Sequence, residues 1–285
     1  MDGNDILSIK TLKQVIQFAL NIWDTPSKEL KNPSEEEVLA HHFFMKNIMA
    51  SFTILNTLDP IPRRDMGDNH AFNDFMSGYV VLRSLFEGYT NMYYLLVDPN
   101  TKKEKEFRKL LWDKHAHQEW KNLTESSGSR LNEIPKCEKN IESVINKIKA
   151  HEYFGQLNTD DKSKALNPET WKLHGRNYLR DCTGIDNSLS DYLYKLMSNY
   201  THAEAYSLRI IGLAESIKDV EEEFKLIMFT EMFTVLTIMI YSQTVSVVEK
   251  AINDDSSIFV RIKLWEEYSR RSFKEENYKR FRKDL

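Results

Sequence analysis

Apolar residues recur at spacings of three and four along most of the chain, which is the period of an amphipathic α-helix. The most regular stretch predicts a long helix over residues 71–97. Its apolar stripe consists of Phe75, Tyr79, Leu82, Phe86, Tyr89, Tyr93 and Leu96. Small residues such as Ser84 and Gly88 occupy another face and would admit a neighbouring helix closely. We therefore predict that this helix is buried and lies at the centre of the protein.

The same period predicts further helices, separated by proline, glycine and asparagine. The expected ranges are 6–23, 35–58, 102–123, 138–151, 168–180, 187–200, 203–216, 219–252 and 256–282. The first should end near Pro26. The second should follow an N-cap at Ser34, because three glutamates come next and favour a first helical turn. Residues 124–132, which include Ser-Ser-Gly-Ser, are predicted to be the most flexible stretch.

The composition agrees with long helices and few turns. Only 9 glycines and 7 prolines occur in 285 residues, whereas an all-β chain of this length needs many more at its hairpins. Apolar residues make up 41%, which is enough for a sizeable core. The sequence therefore predicts an all-α fold: a single multi-helix bundle-like domain over residues 1–285, in which the helices of 219–285 pack on the rest.

Charge and cysteine content limit the functional classes. A net charge of −4 excludes a strongly basic coat for nucleic acid, although a local basic patch is compatible with it. Cys137 and Cys182 form no Cys-x-x-Cys unit, so we expect a reducing compartment and no disulfide framework. The first ten residues lack a basic region leading into an apolar run, so we expect no signal peptide. These features together predict a cytoplasmic protein.

Residues 226–248 are apolar over a length that could span a bilayer. Glu231 and Gln243 would be costly in lipid, and the stretch lacks an aromatic belt. We predict a buried core helix here and no membrane association.

Arg83 and Glu87 are the polar residues of most interest on the helix over 71–97. Spaced four apart, they share a face on which Val80 and Val97 indicate partial burial. A buried charge needs a partner, so one interpretation is that the two residues only neutralise each other. The other is that they line a polar pocket at the centre of the bundle, where helical bundles usually build their sites.

A second candidate group is the segment Ser-Asn-Tyr-Thr-His-Ala-Glu over 198–204. Thr201 and Glu204 fit a capping box, which would begin a helix and place His202 in its first turn. There the helix dipole would favour an anion such as phosphate and keep His202 neutral, able to act as a base. Alternatively, Thr201 only caps a helix and His202 is a surface residue, or the chain continues through this region as one helix without an anion site.

Together these two groups resemble a family of uncharacterised bacterial proteins, the domain of unknown function 5677. The resemblance lies in Arg83-Ser84-x-x-Glu87 within residues 82–96 and in Ser198-x-x-x-His202. It covers about residues 70–215 and departs from the family pattern after the histidine, where alanine stands in place of the usual proline. The resemblance implies an all-helical fold and a link to bacterial antiphage defence or toxin loci, with no settled activity.

The sequence has a weaker similarity to the helical ribonucleases of the higher-eukaryote and prokaryote nucleotide-binding (HEPN) superfamily. Their signature is an arginine followed, after four to six residues, by a histidine, and Arg108 with His115 has that spacing. In such a pair the arginine would stabilise charge on the transferring phosphate, and the histidine would act as general acid or base. A chain with this many arginines and histidines contains about one such match by chance.

No metal or cofactor site is predicted. His115 and Glu119 lie four apart on a predicted helix, but a di-iron bundle would need Glu-x-x-His on two helices, and this motif is absent from the sequence. The aromatic and basic stretch 260–285 suits base stacking, and it equally suits a terminal helix that docks through its aromatic residues.

These observations favour a protein that binds or cleaves RNA or a nucleotide, with Arg83 on the phosphate, Glu87 orienting it and His202 transferring the proton. An enzyme of this kind would be metal-independent and ribonuclease-like. Secondary candidate residues are Arg108, His115, Tyr200 and Thr201. The alternatives are a nucleotide or small-molecule sensor, and a non-catalytic interaction protein, with a protein partner or as a homodimer, in which the Arg83–Glu87 pair is structural.

Overall fold

The described part of the chain is almost entirely α-helical, which confirms the predicted all-α fold. The structure, a computed structural model, describes residues 9–29, 31–58, 61–62, 71–72, 74–183, 185, 187–202, 218–254, 260 and 263–264. Its helices are α1 (Ile9–Glu29), α2 (Glu35–Leu58), α3 (Phe75–Leu96), α4 (Lys102–Ser127), α5 (Ile134–Ala150), α6 (Glu152–Gln156), α7 (Thr159–Leu166), α8 (Arg176–Cys182), α9 (Asn187–Thr201), α10 (Lys218–Thr244) and α11 (Ser246–Asp254). A short antiparallel pair joins β1 (Ile61–Pro62) to β2 (Ala71–Phe72).

The contacts within the chain divide it into two compact units. The first unit comprises Met1–Tyr93 and Gly184–Leu285, and the second comprises Tyr94–Thr183. The division falls within α3, so this helix contributes residues to both units. That the whole chain forms a single domain stays a prediction.

The first unit is built around α10, which packs against α1, α2 and α11. By length and composition, Glu222–Thr244 could cross a membrane, with a mean hydropathy of 1.6, but 78% of its most apolar stretch is buried in the protein. Burial of this kind is also typical of a core helix in a soluble protein. Polar bonds tie α10 to α2, because Asn47 Nδ2 donates to Thr237 Oγ1 at 3.0 Å. A cytoplasmic location stays a prediction.

The helix predicted over 71–97 is α3, and its apolar stripe is buried as expected except at Tyr93, which is partly buried. Tyr79, Leu82 and Tyr89 are each 1% exposed. The small residues admit neighbouring helices, since a Cβ added at Gly78 would lie 2.7 Å from Leu226 Cδ2, and one at Gly88 would lie 2.9 Å from Asn47 Oδ1. Glycine at these positions therefore sets how closely α10 and α2 approach α3.

One face of α3 remains open to solvent. Its exposed residues, spaced three and four apart, are Ser77, Val80, Ser84 and Glu87, and together they form what we call the α3 strip. The helix is therefore buried on most of its circumference and not all round.

The N-terminal cap of α2 is the one predicted from the sequence. The Glu37 amide donates to Ser34 Oγ at 3.2 Å, and the Ser34 amide donates back to Glu37 Oε2 at 2.9 Å. This reciprocal pair is a capping box, and it satisfies amides that the first helical turn leaves without partners. The helix ends at Leu58, as expected.

The second unit is built on α4 and α5. Thr101 caps α4 by accepting from the Glu104 amide, and Gly128 ends the helix with a φ of 62°, a left-handed conformation that glycine adopts without strain. Four residues of α5 are buried at spacings of four and three: Cys137, Ile141, Val144 and Ile148. The helix α4 ends at Ser127, so it extends beyond its predicted end at 123 into the stretch 124–132 that we expected to be flexible.

Other helix ends also differ from the predictions. The helix α1 continues through Pro26 to Glu29. The proline removes only one backbone N–H donor from the helix, and the Thr25 hydroxyl adds a bond to the Asn21 carbonyl at 3.1 Å. The helix expected over 219–252 is interrupted at Val245. The prediction for 203–216 lies outside the described residues, as does that for 256–282 apart from residues 260, 263 and 264.

The helix predicted over 168–180 is reduced to α8, because the chain after α7 is held by a buried lysine. Lys114 Nζ donates to the carbonyls of Ala165 and Asn167, each at 2.6 Å. Burial lowers the pKa of Lys114 to about 8. These carbonyls at the end of α7 are thus satisfied by a cation instead of by a further helical turn.

We predict that stability falls with rising pH because of Glu231, a buried residue of α10. Its Oε1 has no hydrogen-bond partner within the described part of the chain, and burial raises the pKa of the carboxyl from 4.5 to about 8. Since the folded pKa exceeds the unfolded one, the stabilising contribution is complete below pH 4.5 and is lost as the pH rises through about 8. The loss should reach roughly 3–5 kcal/mol of unfolding free energy.

Urea denaturation at a series of pH values measures this effect. Glu231→Gln, which cannot ionise, should lack the decline, whereas the exposed control Glu249→Gln should keep it. Identical pH profiles for the wild type and Glu231→Gln would contradict the assignment.

Two glycine-to-alanine substitutions should have opposite effects on the melting temperature. Gly88→Ala forces its methyl group against Asn47, a side chain already held by Thr237, so we expect a loss of about 1–3 kcal/mol. Gly155→Ala, on α6, meets nothing within 4 Å and should stabilise the protein by up to about 1 kcal/mol through helix propensity. Thermal denaturation tests both, and a gain in both variants would mean that α2 does not pack closely on Gly88.

Candidate functional site

Arg83, on α3, is the residue around which the candidate site is built. Its side chain is 17% exposed, and Nε donates to Glu87 Oε1 at 3.1 Å. Nη2 donates to the Tyr194 hydroxyl at 2.7 Å, and Nη1 lies 3.3 Å from both Ser198 Oγ and His202 Nε2. We call these five residues the Arg83 cluster. The structure therefore brings together the three residues that were predicted to form one site, Arg83, Glu87 and His202.

Helix geometry explains how two short motifs build this cluster. Tyr194, Ser198 and His202 follow one another at intervals of four, so they form a stripe along one face of α9. The guanidinium carbon of Arg83 lies 4.9 Å from the centre of the Tyr194 ring, in a cation–π contact. The planar guanidinium is thus fixed both by its bonds along this stripe and by the aromatic ring.

The contact with Arg83 requires a neutral His202. Guanidinium N–H groups only donate, so Nε2 of the imidazole must accept and carry no proton. The ring proton is then on Nδ1. Because a neutral imidazole can take up a proton, this exposed side chain is in the form that a general base requires.

His202 lies at the C-terminal end of α9, which corrects the interpretation that Thr201 caps the start of a helix with His202 in its first turn; the residues from 203 to 217 lie outside the described part of the chain. Thr201 is the last residue of α9, and its Oγ1 donates to the Met197 carbonyl at 2.8 Å. The His202 amide bonds to the Ser198 carbonyl at 3.0 Å, and Glu204 lies outside the described residues. The carbonyl end of a helix carries partial negative charge and disfavours anions. Among the described residues of the Arg83 cluster, the group that attracts an anion is therefore the Arg83 side chain.

Glu87 is exposed to a greater degree than expected. Its side chain is 48% exposed and Val80, on the same face, is 41% exposed, so the expected partial burial holds for Arg83 alone. An exposed ion pair at this spacing contributes only about 0.3–0.5 kcal/mol. Mutual neutralisation is thus a small part of what holds Arg83 in place.

The secondary candidates Tyr200 and Thr201 have packing and backbone roles. The Tyr200 ring is buried and stacks on Tyr79, with centroids 4.5 Å apart and planes 5° apart. The Tyr79 hydroxyl in turn donates to Glu222 Oε2 at 2.7 Å. Tyr200 therefore links α9 to the core, and the Thr201 hydroxyl is used by the last turn of its own helix.

The other secondary candidates, Arg108 and His115, belong to the second unit. Arg108 is 1% exposed. At 2.5–2.7 Å it donates to three oxygens, which belong to the Tyr94 carbonyl and to the carboxylates of Asp98 and Glu104. His115 Nε2 lies 3.3 Å from Glu119. Because Arg108 is enclosed and already neutralised, it has no surface on which to receive a phosphate.

His41, on α2, has structural partners. His41 Nε2 accepts from the Trp23 indole at 2.9 Å, and Nδ1 lies 2.8 Å from the Tyr241 hydroxyl, while burial lowers the pKa of the ring. Across the described ranges, no group of three or more His, Cys, Asp and Glu side chains is placed to hold a metal ion.

Tyr194 is the member of the cluster that the sequence prediction missed. It precedes Ser198 by four residues, as Ser198 precedes His202. That spacing would have identified it if the segment had been taken as one continuous helix. Placing a helix boundary at Thr201 concealed the common face.

A comparison with protein-family models identifies the family. A family described as of unknown function, DUF5677, matches residues 69–219, which is more than half of the chain. The matched region contains the whole Arg83 cluster and agrees with the extent of the resemblance predicted from the sequence. No curated protein and no solved structure matches the sequence. The chain therefore belongs to DUF5677, a family whose function is unknown.

Proposed function

We propose that the Arg83 cluster binds a phosphate of RNA and cleaves the strand beside it without a metal ion. The observation that carries the proposal is the 3.3 Å contact between Arg83 Nη1 and His202 Nε2. This contact places a permanent cation, the Arg83 guanidinium, beside a proton acceptor, the His202 imidazole. Phosphodiester cleavage needs both groups, since one stabilises charge on the phosphate and the other moves a proton.

Phosphate binding and activation of the base are coupled in this arrangement. Without a ligand, Arg83 Nη1 occupies the lone pair of His202 Nε2. A phosphate oxygen is charged and is therefore a stronger acceptor than a neutral imidazole or hydroxyl. When Nη1 turns to the phosphate, Nε2 becomes free to accept a proton from the same ligand.

The proposed reaction is an attack by a ribose 2′-hydroxyl on the adjacent phosphorus. His202 Nε2 takes the hydroxyl proton as the bond between the 2′-oxygen and phosphorus forms. The bond to the 5′-oxygen breaks, and that oxygen takes a proton from water, while the imidazolium later returns its proton to solvent. The products are a 2′,3′-cyclic phosphate and a 5′-hydroxyl. Glu87 holds Nε and so orients the guanidinium.

A second candidate function is a non-catalytic interaction protein in which the cluster is a clasp between α3 and α9. The observation in its favour is that four of the five guanidinium N–H groups of Arg83 already have partners in the protein. An arginine with this many protein partners can be purely structural. The proposed link of the family to bacterial defence applies equally to both functions.

We predict that the purified protein cleaves single-stranded RNA in the presence of a metal chelator. His202→Gln should lower the rate by about 10²–10⁴-fold through loss of proton transfer. Arg83→Gln should lower it by about 10²–10³-fold through loss of charge stabilisation. Gel analysis of end-labelled RNA measures the rates, and Lys13→Gln, at an exposed position of α1, is the matched surface control.

The His202→Gln variant separates a catalytic role of His202 from a structural one. Its amide oxygen can still accept from Arg83 Nη1, but it cannot transfer a proton. The ribonuclease proposal therefore requires His202→Gln to melt at the wild-type temperature while being inactive. If the wild type does not cleave RNA, and Arg83→Gln melts several degrees lower, the cluster is a clasp.

A further inference from the structure

A second cation lies across α3 from the Arg83 cluster. Lys46, an exposed residue of α2, places Nζ 3.4 Å from the Ser84 carbonyl of α3. It reaches this position over Gly88, since a Cβ added there would lie 3.4 Å from Lys46 Nζ and 3.8 Å from its Cδ. The absence of a side chain at Gly88 is what lets the lysine lie along α3.

The ammonium group of Lys46 keeps most of its binding capacity. Its bond to the Ser84 carbonyl is long, and within the described ranges no carboxylate lies within 4.0 Å of Nζ. An ammonium group has three N–H donors, and one long bond engages only one of them. The cation is therefore available to an anionic ligand at the protein surface.

The positions of Arg83 and Gly88 on the helix show that the two cations flank the same exposed surface. At about 100° per residue, the α3 strip lies between the edge that carries Arg83 and the edge that carries Gly88. The first edge is covered by α9, through the Arg83 cluster, and the second by α2, through Lys46. A helix with its side chains is about 10–12 Å across, so one phosphate cannot contact both cations closely.

We infer that Lys46 binds a second phosphate and that the ligand is a single-stranded RNA segment, not a mononucleotide. The strand would cross the α3 strip, with one phosphate on Arg83 and a neighbouring one on Lys46. Proteins that bind a single strand without reading its sequence place positive charge along its phosphate backbone. This inference rests on the proposed function, because it assumes that Arg83 binds the phosphate that is cleaved.

The test measures binding without turnover. A fluorescent 2′-O-methyl RNA oligonucleotide cannot undergo the 2′-hydroxyl attack, so its anisotropy reports affinity alone. Adenosine monophosphate, measured by competition, represents a ligand with a single phosphate. The proteins are the wild type, Lys46→Gln, Arg83→Gln and the control Lys13→Gln.

The inference predicts that Lys46→Gln weakens oligonucleotide binding by roughly three- to fivefold at 0.15 M salt and lowers the slope of log affinity against log salt by about 0.7. Binding of adenosine monophosphate should not change. Arg83→Gln should weaken both ligands, and Lys13→Gln should weaken neither.

Two other results would contradict the inference, and they differ in whether the proposed function survives. If Arg83→Gln loses the oligonucleotide while Lys46→Gln binds it with wild-type affinity and salt slope, the second phosphate contact is wrong and the proposed function survives. If the wild type binds neither ligand, or if Arg83→Gln binds both normally, the proposed function is wrong and the inference fails with it.

Discussion

The guanidinium of Arg83 is the contact on which the candidate site depends. It joins α3 to α9 through bonds to Tyr194, Ser198 and His202, and it requires the imidazole to be neutral. Because a guanidinium is planar and holds its donors at fixed angles, its partners must come from one face of the neighbouring helix. The intervals of four along α9 meet that condition, so a single arginine selects which residues of α9 belong to the site.

The position of this arginine is in turn fixed by polar bonds in a mostly apolar framework. The Tyr79 hydroxyl ties α3 to Glu222 on α10, and Asn47 ties α2 to Thr237 on the same helix. Hydrophobic packing alone tolerates sliding between helices, whereas each of these bonds is satisfied in one register. The α10 helix thus sets α2 and α3 relative to each other, which is why Lys46 and Arg83 lie on either side of the α3 strip.

The sequence was sufficient for features that depend on neighbours along one helix. The periodicity gave α3 and its buried stripe, the serine and glutamates gave the cap of α2, and the two motifs gave Arg83, Glu87 and His202. It was insufficient where a distant element decides. The exposure of Glu87 depends on which helix covers α3, and the break after α7 depends on Lys114, a residue of another helix. The sequence left open whether Thr201 caps the start of a helix or lies in a last turn, because a threonine suits both positions; the structure places it in the last turn of α9.

Arg83 and Arg108, which each make several hydrogen bonds, show what distinguishes a structural cation from a candidate site. Arg108 is enclosed, and the carboxylates of Asp98, which is partly buried, and Glu104, which is buried, neutralise it, so any further anion would have to displace a carboxylate. Arg83 has one carboxylate partner, Glu87, whose side chain is about half exposed to solvent. Water weakens the attraction between these two charges, so Glu87 neutralises little of the charge on Arg83. Its other partners are neutral hydroxyls and an imidazole, which lose little when an anion takes their place. An arginine needed only for stability gains from the first arrangement, because desolvated charge is costly unless it is fully paired. The second arrangement keeps the charge exchangeable and places a proton acceptor beside it, which is why the Arg83 cluster and not Arg108 carries the functional proposal.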